Sequence, residues 1–179
     1  MTLSVAEPRV RKRLTDQDWQ FSNTTNTLPV WATLTETPPG RREFRLPFHG
    51  GELVIGIDFD PPAWFGPMVR SLERLLRLGP DWDTYGGCPL DPECVNAALE
   101  LAFQSFRDDT PAPSVVPTSR GGLQFEWHTG GVDFEIEFLS ATRVCGLFED
   151  QVTGTCWEKD LTSDQRPLAE AISALSRRR

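Results

Sequence analysis

The residues of this chain best placed to do chemistry are carboxylates on alternate positions. Between Leu123 and Phe138, Glu126, His128, Asp133, Glu135 and Glu137 alternate with large apolar side chains on both sides of Gly130-Gly131. Such alternation marks strands with one buried face. Two glycines suit a two-residue turn whose central positions both need positive φ. That turn fixes the register: Trp127 opposes Phe134, Phe125 opposes Ile136 and Leu123 opposes Phe138, all on one face. On the other face His128 opposes Asp133, Glu126 opposes Glu135 and Gln124 opposes Glu137. Like charges directly opposed cost roughly 0.2–1 kcal/mol, less than three buried apolar pairs contribute, so folding tolerates the carboxylates without requiring them.

Three uses compete for this acidic face. It can be a plain solvated surface that discourages pairing with other chains. It can be a docking surface for a basic protein, since focused negative potential selects positive patches. It can also hold a divalent cation through Glu126, Asp133, Glu135 and His128, although nothing else completes a metal motif. On the following strand Arg143, Cys145 and Leu147 share one face. With Phe148 pointing to the core, Arg143 is expected beside Glu135 and Glu137, and Leu147 among acids, exposed unless residues 28–60 cover it.

A second unusual stretch runs from Gly79 to Pro92, reading Gly-Pro-Asp-Trp-Asp-Thr-Tyr-Gly-Gly-Cys-Pro-Leu-Asp-Pro. Asp81 and Asp83 could serve as acid/base or metal groups with Tyr85 as a hydrogen-bond donor. Turn chemistry is the simpler reading: the two aspartates cap and turn the chain, Trp82 and Tyr85 plug the end of the core, and Gly86-Gly87 permit the reversal. Known catalytic templates are missing, with no GxSxG elbow, Walker loop, dinucleotide fingerprint or HExxH, and only His49 and His128 to act as neutral-pH bases. Gly50-Gly51 after His49 reads as a hairpin turn. No cofactor is expected.

A chain of 179 residues with 39% apolar content can build one core without metal or disulfide. Its net charge of -8 argues against direct binding to nucleic acid or an anionic membrane. The acids are concentrated: residues 121–161 hold Glu126, Asp133, Glu135, Glu137, Glu149, Asp150, Glu158 and Asp160 against Arg143 and Lys159. Basic runs at 9–13 and 177–179 read as solvated tails. Cys88, Cys94, Cys145 and Cys156 form no CxxC pair, so a zinc site is unsupported. Residues 1–20 lack the apolar core of a secretion signal and no window has the length of a membrane span, so a cytoplasmic protein with reduced thiols is expected.

The elements that must position these residues follow from periodicity. Residues 1–27 read as an irregular N-terminal arm and 28–60 as accessory strands at 30–35, 43–48 and 52–59. A helix is predicted over 67–78, stopped by Gly79-Pro80, and a second from the Asp91 cap and Pro92 to about Phe106. Strands are predicted at about 114–117, 122–128, 132–139, 142–149 and 153–158, then a last helix capped by Ser163 with Leu168, Ile172 and Leu175 inward. The result is an α+β fold: two antiparallel helices and a C-terminal helix packed on one face of an antiparallel β-meander, with 61–179 as the core of one compact domain.

Trp82-Asp-Thr-Tyr-Gly-Gly87, Pro89-Leu-Asp-Pro92, Val116-Pro-Thr-Ser-Arg-Gly-Gly-Leu-Gln-Phe-Glu-Trp127 and Val132-Asp-Phe-Glu-Ile-Glu137 together resemble a widespread set of uncharacterised bacterial proteins. Those share a W-D-x-Y-G loop, a helix, and P-T-x-x-G-G-x-Q-x-E-W leading into an acidic strand. The resemblance covers about residues 66–160 and implies no activity and no catalytic residue. The expectation for function is a non-enzymatic interaction protein that presents Glu126, His128, Asp133, Glu135, Glu137, Arg143 and Leu147 to a basic protein partner, in a bacterial toxin-neutralising or phage-defence setting. The alternatives are a metal-dependent hydrolase or nuclease drawing on Asp81, Asp83, Glu126, Glu135 and His128, and an acidic mimic of DNA.

Overall fold

In a computed structural model, residues 9–14 and 42–178 are described, the first stretch by its backbone alone. Two antiparallel sheets and three helices share one apolar core. The first sheet has the order β1-β3-β2, built from β1 (Arg9–Leu14), β2 (Arg42–Phe48) and β3 (Gly51–Ile57). β1 lies within the stretch expected to be an irregular arm, and its pairing with β3, Val10 opposite Ile55 and Lys12 opposite Leu53, corrects that expectation. The expected strand at 30–35 falls outside the described residues.

β2 and β3 are less accessory than their sequence suggests. Leu46, Leu53, Ile55 and Ile57 are buried in the same cluster as the rest of the core, because alternate positions of both strands are apolar and the hairpin turn at His49-Gly50, with Gly50 at φ 96°, lines them up on one face.

Helix α1 (Phe65–Leu75) and helix α2 (Pro92–Ser105) follow. The start of α1 meets the end of α2: Trp64 and Phe65 sit against Phe103 at ring separations of 5.4 and 5.5 Å. Asp91 caps α2 as predicted, its carboxylate accepting the Glu93 amide at 2.9 Å, with Pro92 at the first helical position.

The second sheet is a five-stranded meander in chain order: β4 (Ser114–Pro117), β5 (Leu123–Thr129), β6 (Val132–Ser140), β7 (Arg143–Asp150) and β8 (Thr155–Asp160). The β5–β6 register is the predicted one at every pair from Leu123–Phe138 to Thr129–Val132. Gly130 and Gly131 have φ of 59° and 76°, and Trp127 stacks on Phe134 at 5.3 Å with planes 14° apart. Phe125, Trp127, Val132, Phe134, Ile136, Phe138, Val144 and Phe148 are buried. Phe106, just past α2, lies on Phe125 and Trp127, so α2 covers this apolar face.

Helix α3 (Arg166–Arg177) closes the chain, burying Leu168, Ile172 and Leu175. Its N-cap is Gln165, not Ser163. Asp164 does the capping work, accepting the Arg166 amide at 3.0 Å and its guanidinium at 2.8 and 2.9 Å. The Arg166 guanidinium first, and then its amide, hold the Asp164 carboxyl down to about 2.

Candidate functional site on the outward face of the meander

Because side chains alternate along a strand, burying one face of β5–β8 sends every other residue to the opposite face. Cross-strand register gathers these into three rows. Gln124, Glu137, Cys145 and Asp160 form one, Glu126, Glu135, Leu147 and Glu158 the next, and His128, Asp133, Glu149 and Cys156 the third. Carboxylates recur in all three. Lys159, the one lysine of these strands, belongs to the other face, where its Nζ sits 5.3 Å from the centre of the Trp157 ring.

The structure supplies what the sequence left unexplained, namely how opposed acids coexist. Gln124 Nε2 donates to Glu135 Oε2 at 2.6 Å, diagonally across the Glu126–Glu135 pair. His128 Nδ1 is 2.7 Å from Asp133 Oδ1, its Nε2 is 3.8 Å from Glu126 Oε2, and Gln151 donates to the remaining Asp133 oxygen at 3.1 Å. The hydrogen bond to Asp133 is the main cause that raises the His128 pKa; desolvation opposes it, and the negative charges of Asp133, Glu126 and Glu135 each add a smaller upward push. Two amide side chains and one imidazole thus supply hydrogen bonds to Glu135 and Asp133.

Arg143 meets only part of its expectation: Glu137 is level with Cys145, two residues along β7 and so diagonal to Arg143, but Glu135 lies further off. Glu135 is level with Leu147, four residues further along β7, about 13 Å away at strand spacing. The acid that feels Arg143 is Asp160 on β8, whose pKa is lowered first by the Thr162 hydroxyl and amide and to a smaller extent by that guanidinium. Leu147 is 39% exposed, uncovered by the described part of the accessory strands, residues 42–60.

The 79–92 loop resolves in favour of turn chemistry for its aspartates. Asp83 Oδ1 accepts the amides of Tyr85 at 2.9 Å and Gly87 at 2.8 Å, and Asp81 Oδ1 accepts that of Gly86 at 2.7 Å. The Tyr85 and Gly87 amides hold the Asp83 pKa below its ordinary value. Trp82, partly buried, donates to the Cys88 carbonyl at 2.9 Å. Tyr85 is no plug: it is 93% exposed. Its loop keeps Asp81 and Thr84 at φ 60° and 63°, a region costly for a β-branched residue. This display carries no signal in the sequence, because an aromatic beside Gly-Gly reads equally well as a core plug.

The loop is also joined to the second conspicuous sequence segment. The Cys88 amide donates to the Ser119 carbonyl at 2.9 Å, and the Asp91 amide to the Gly121 carbonyl at 2.8 Å. Gly121, at φ 84°, has no room for a side chain, since a Cβ there would come within 2.9 Å of the Pro89 carbonyl. Spelling in both stretches is therefore constrained by one mutual contact.

The expected site residues accordingly fall into two groups. Glu126, His128, Asp133 and Glu135 are brought together on the outward face with Glu137 and Leu147 beside them, whereas Asp81 and Asp83 are engaged within the interhelical loop. Among the described residues no three His, Cys, Asp or Glu side chains are placed to hold a metal ion. All four cysteines are free thiols; burial, and then the charges of Asp91 and Glu93, push that of Cys94 up to about 11. No helix among the described residues is long and apolar enough to cross a membrane. Comparison with protein-family models, curated proteins and solved structures finds no match for this chain.

Proposed function

We propose that the outward face of β5–β8 is a docking surface for a basic protein, and that the chain acts by binding rather than by catalysis. The observation that carries this reading is the segregation of charge across the three rows: Glu126, Asp133, Glu135, Glu137, Glu149, Glu158 and Asp160 share one face, with Arg143 at its margin and Lys159 turned to the other side. A face of that composition raises association rates with positive partners and rejects acidic ones. Leu147, exposed among the acids, offers the apolar contact that such interfaces keep near their centre. The hydrogen bonds of Gln124 and His128 hold the acid side chains in fixed positions, which lowers the ordering cost of binding.

The test is charge reversal. Glu135→Lys with Glu137→Lys is expected to abolish capture of a defined basic protein from cell extract while leaving the thermal melt within a few degrees of the parent. Equal capture by both proteins would end the proposal. Adding duplex DNA to the capture distinguishes the targets: if DNA displaces the chain, the partner is itself a nucleic-acid-binding protein and the face occupies its DNA site.

A further inference from the structure

We propose that β8 is the edge on which the partner lands, through an extended segment that adds as a sixth strand and alternates basic with apolar residues, a reading that rests on the docking role of the outward face. β8 is the last strand of the meander, paired among the described residues only with β7. Thr155, Cys156, Glu158, Lys159 and Asp160 are all exposed.

The direction of its backbone groups follows from the ladder. In an antiparallel pair, residues alternate between those that exchange hydrogen bonds with the neighbour and those whose N–H and C=O point the other way. The Leu161 amide donates to the Val144 carbonyl at 2.8 Å, which makes Gly146–Lys159 and Phe148–Trp157 the bonded pairs between β7 and β8. On the other side of β7, the Gln151 amide donates to the Gly131 carbonyl at 2.9 Å, so the odd-numbered residues of β7 bond toward β6, as this alternation demands. The amides and carbonyls of Cys156, Glu158 and Asp160 therefore point off the free edge.

Those same three residues end the outward rows, so an incoming residue that bonds at the edge sets its side chain beside Glu158 or Asp160. Its neighbours fall on the opposite face beside Trp157, which is half-buried and stacked on Phe148 at 5.5 Å. A strand matching both faces carries arginine or lysine on one parity and apolar side chains on the other. The opposite edge of the sheet is blunted differently: β4 ends in Pro117, and α1 lies against it. β8 has no proline and is guarded by charge alone, which repels acidic strands and admits basic ones. A second copy of this chain is disfavoured in the register centred on Glu158, where β8 pairing with itself through the free groups sets Glu158 against Glu158 and Cys156 against Asp160.

The probe is a capped nine-residue peptide alternating arginine and valine, with an isomer of the same composition in which the arginines precede the valines. Binding is read by fluorescence anisotropy at low salt, and amide hydrogen exchange is followed on the full chain. The alternating peptide is expected to bind at least tenfold tighter than its isomer and to slow exchange at Cys156, Glu158 and Asp160. Cys156→Pro, which removes one outward amide without changing charge or the bonds to β7, is expected to erase that tenfold preference; Glu158→Pro, checked for the same melt, does the same. Equal binding of the two peptides, no protection at these amides, or undiminished preference in the proline variants overturns strand addition. Loss of binding by both peptides in Glu135→Lys with Glu137→Lys separates the two proposals, since it supports the face even where the edge proposal has failed. No binding of either peptide to the parent defeats both.

Discussion

Asp150 and Arg178 tie the far end of the sheet to the end of α3. The Asp150 side chain is 6% exposed, and Arg178 reaches its two oxygens at 3.2 and 2.9 Å. The same carboxylate accepts the Val152 and Thr153 amides at 2.9 and 3.2 Å, which shapes the turn into β8. One residue therefore fixes both the β7–β8 turn and the docking of the C-terminal helix. The hairpin turn joins this corner, since a Cβ on Gly130 would collide with the Arg178 carbonyl.

Acid should weaken this corner. Burial pushes the Asp150 pKa up, but the two amides, the Thr153 hydroxyl and Arg178 outweigh it and leave the pKa below 3.8. A carboxylate whose folded pKa is depressed contributes stability that is complete above the unfolded value and is lost as pH falls through the folded one. Stability measured by urea unfolding is expected to be flat with respect to this group above about pH 5 and to fall below about pH 4. Asp150→Asn should flatten that part of the profile and lower the melting temperature at pH 7. An unchanged slope below pH 4 in the variant refutes the assignment.

The apolar register gives a second expectation. Trp127 and Phe134 stack within the core, so Phe134→Ala should cost about 3–5 kcal/mol. A double-mutant cycle with Trp127→Ala should recover a coupling of about 0.5–1.5 kcal/mol from the ring contact. Additive losses in chemical denaturation would mean that the rings act only as bulk.

How much of this was legible in the sequence depends on how local the determinant is. The β5–β6 register needed only the period of two and a glycine pair, both within sixteen residues, and every predicted pair was found. The Asp91 cap is equally local. Tyr85 was misread because nothing nearby distinguishes an aromatic that fills the core from one held out of it by Asp81 and Asp83. The nearness of Arg143 to Asp160 is not legible because it depends on where β8 runs, two residues later than the expected 153–158. Strand β1 escaped notice because its partner β3 lies some forty residues away, and a run of arginines carries little apolar alternation. The outward face itself was readable as a list of acids, but the Gln124–Glu135 bond that settles them runs diagonally and no periodicity predicts it.

Strain in the interhelical loop can be measured directly. Thr84 has a β-branched side chain at φ 63°, an arrangement that costs about 1–3 kcal/mol, while glycine meets no such penalty but loses more entropy on folding, roughly 0.5–1 kcal/mol. Thr84→Gly is therefore expected to leave stability unchanged or raise it by up to about 2 kcal/mol, against the usual loss on introducing glycine. Tyr85→Ala, at an exposed position, should change stability by less than about 0.5 kcal/mol. A loss above about 1 kcal/mol in Thr84→Gly, read from the denaturation midpoint, would show that the loop is not strained at this residue.

His128 makes the outward face sensitive to pH near neutrality. Its pKa is raised above 6.5, chiefly by the hydrogen bond to Asp133, and the ring nitrogen sits 2.7 Å from that carboxylate. For a histidine whose folded pKa is raised, the stabilising contribution is complete below the unfolded pKa near 6.5 and disappears as pH climbs through the higher folded value. The groups facing it from its own and the adjoining strand are Glu126, Asp133 and Glu135, with Gln151 of the β7–β8 turn bound to Asp133, and loss of its proton leaves those acids less neutralised. Imidazole proton shifts followed by NMR should give a midpoint above 6.5 in the parent, and Asp133→Asn should move it down. The same substitution should weaken the fall in stability as pH rises above about 6.5, because the partner that stabilises the imidazolium is gone. A midpoint that stays in place in Asp133→Asn would show that the bond does not control the charge on the ring.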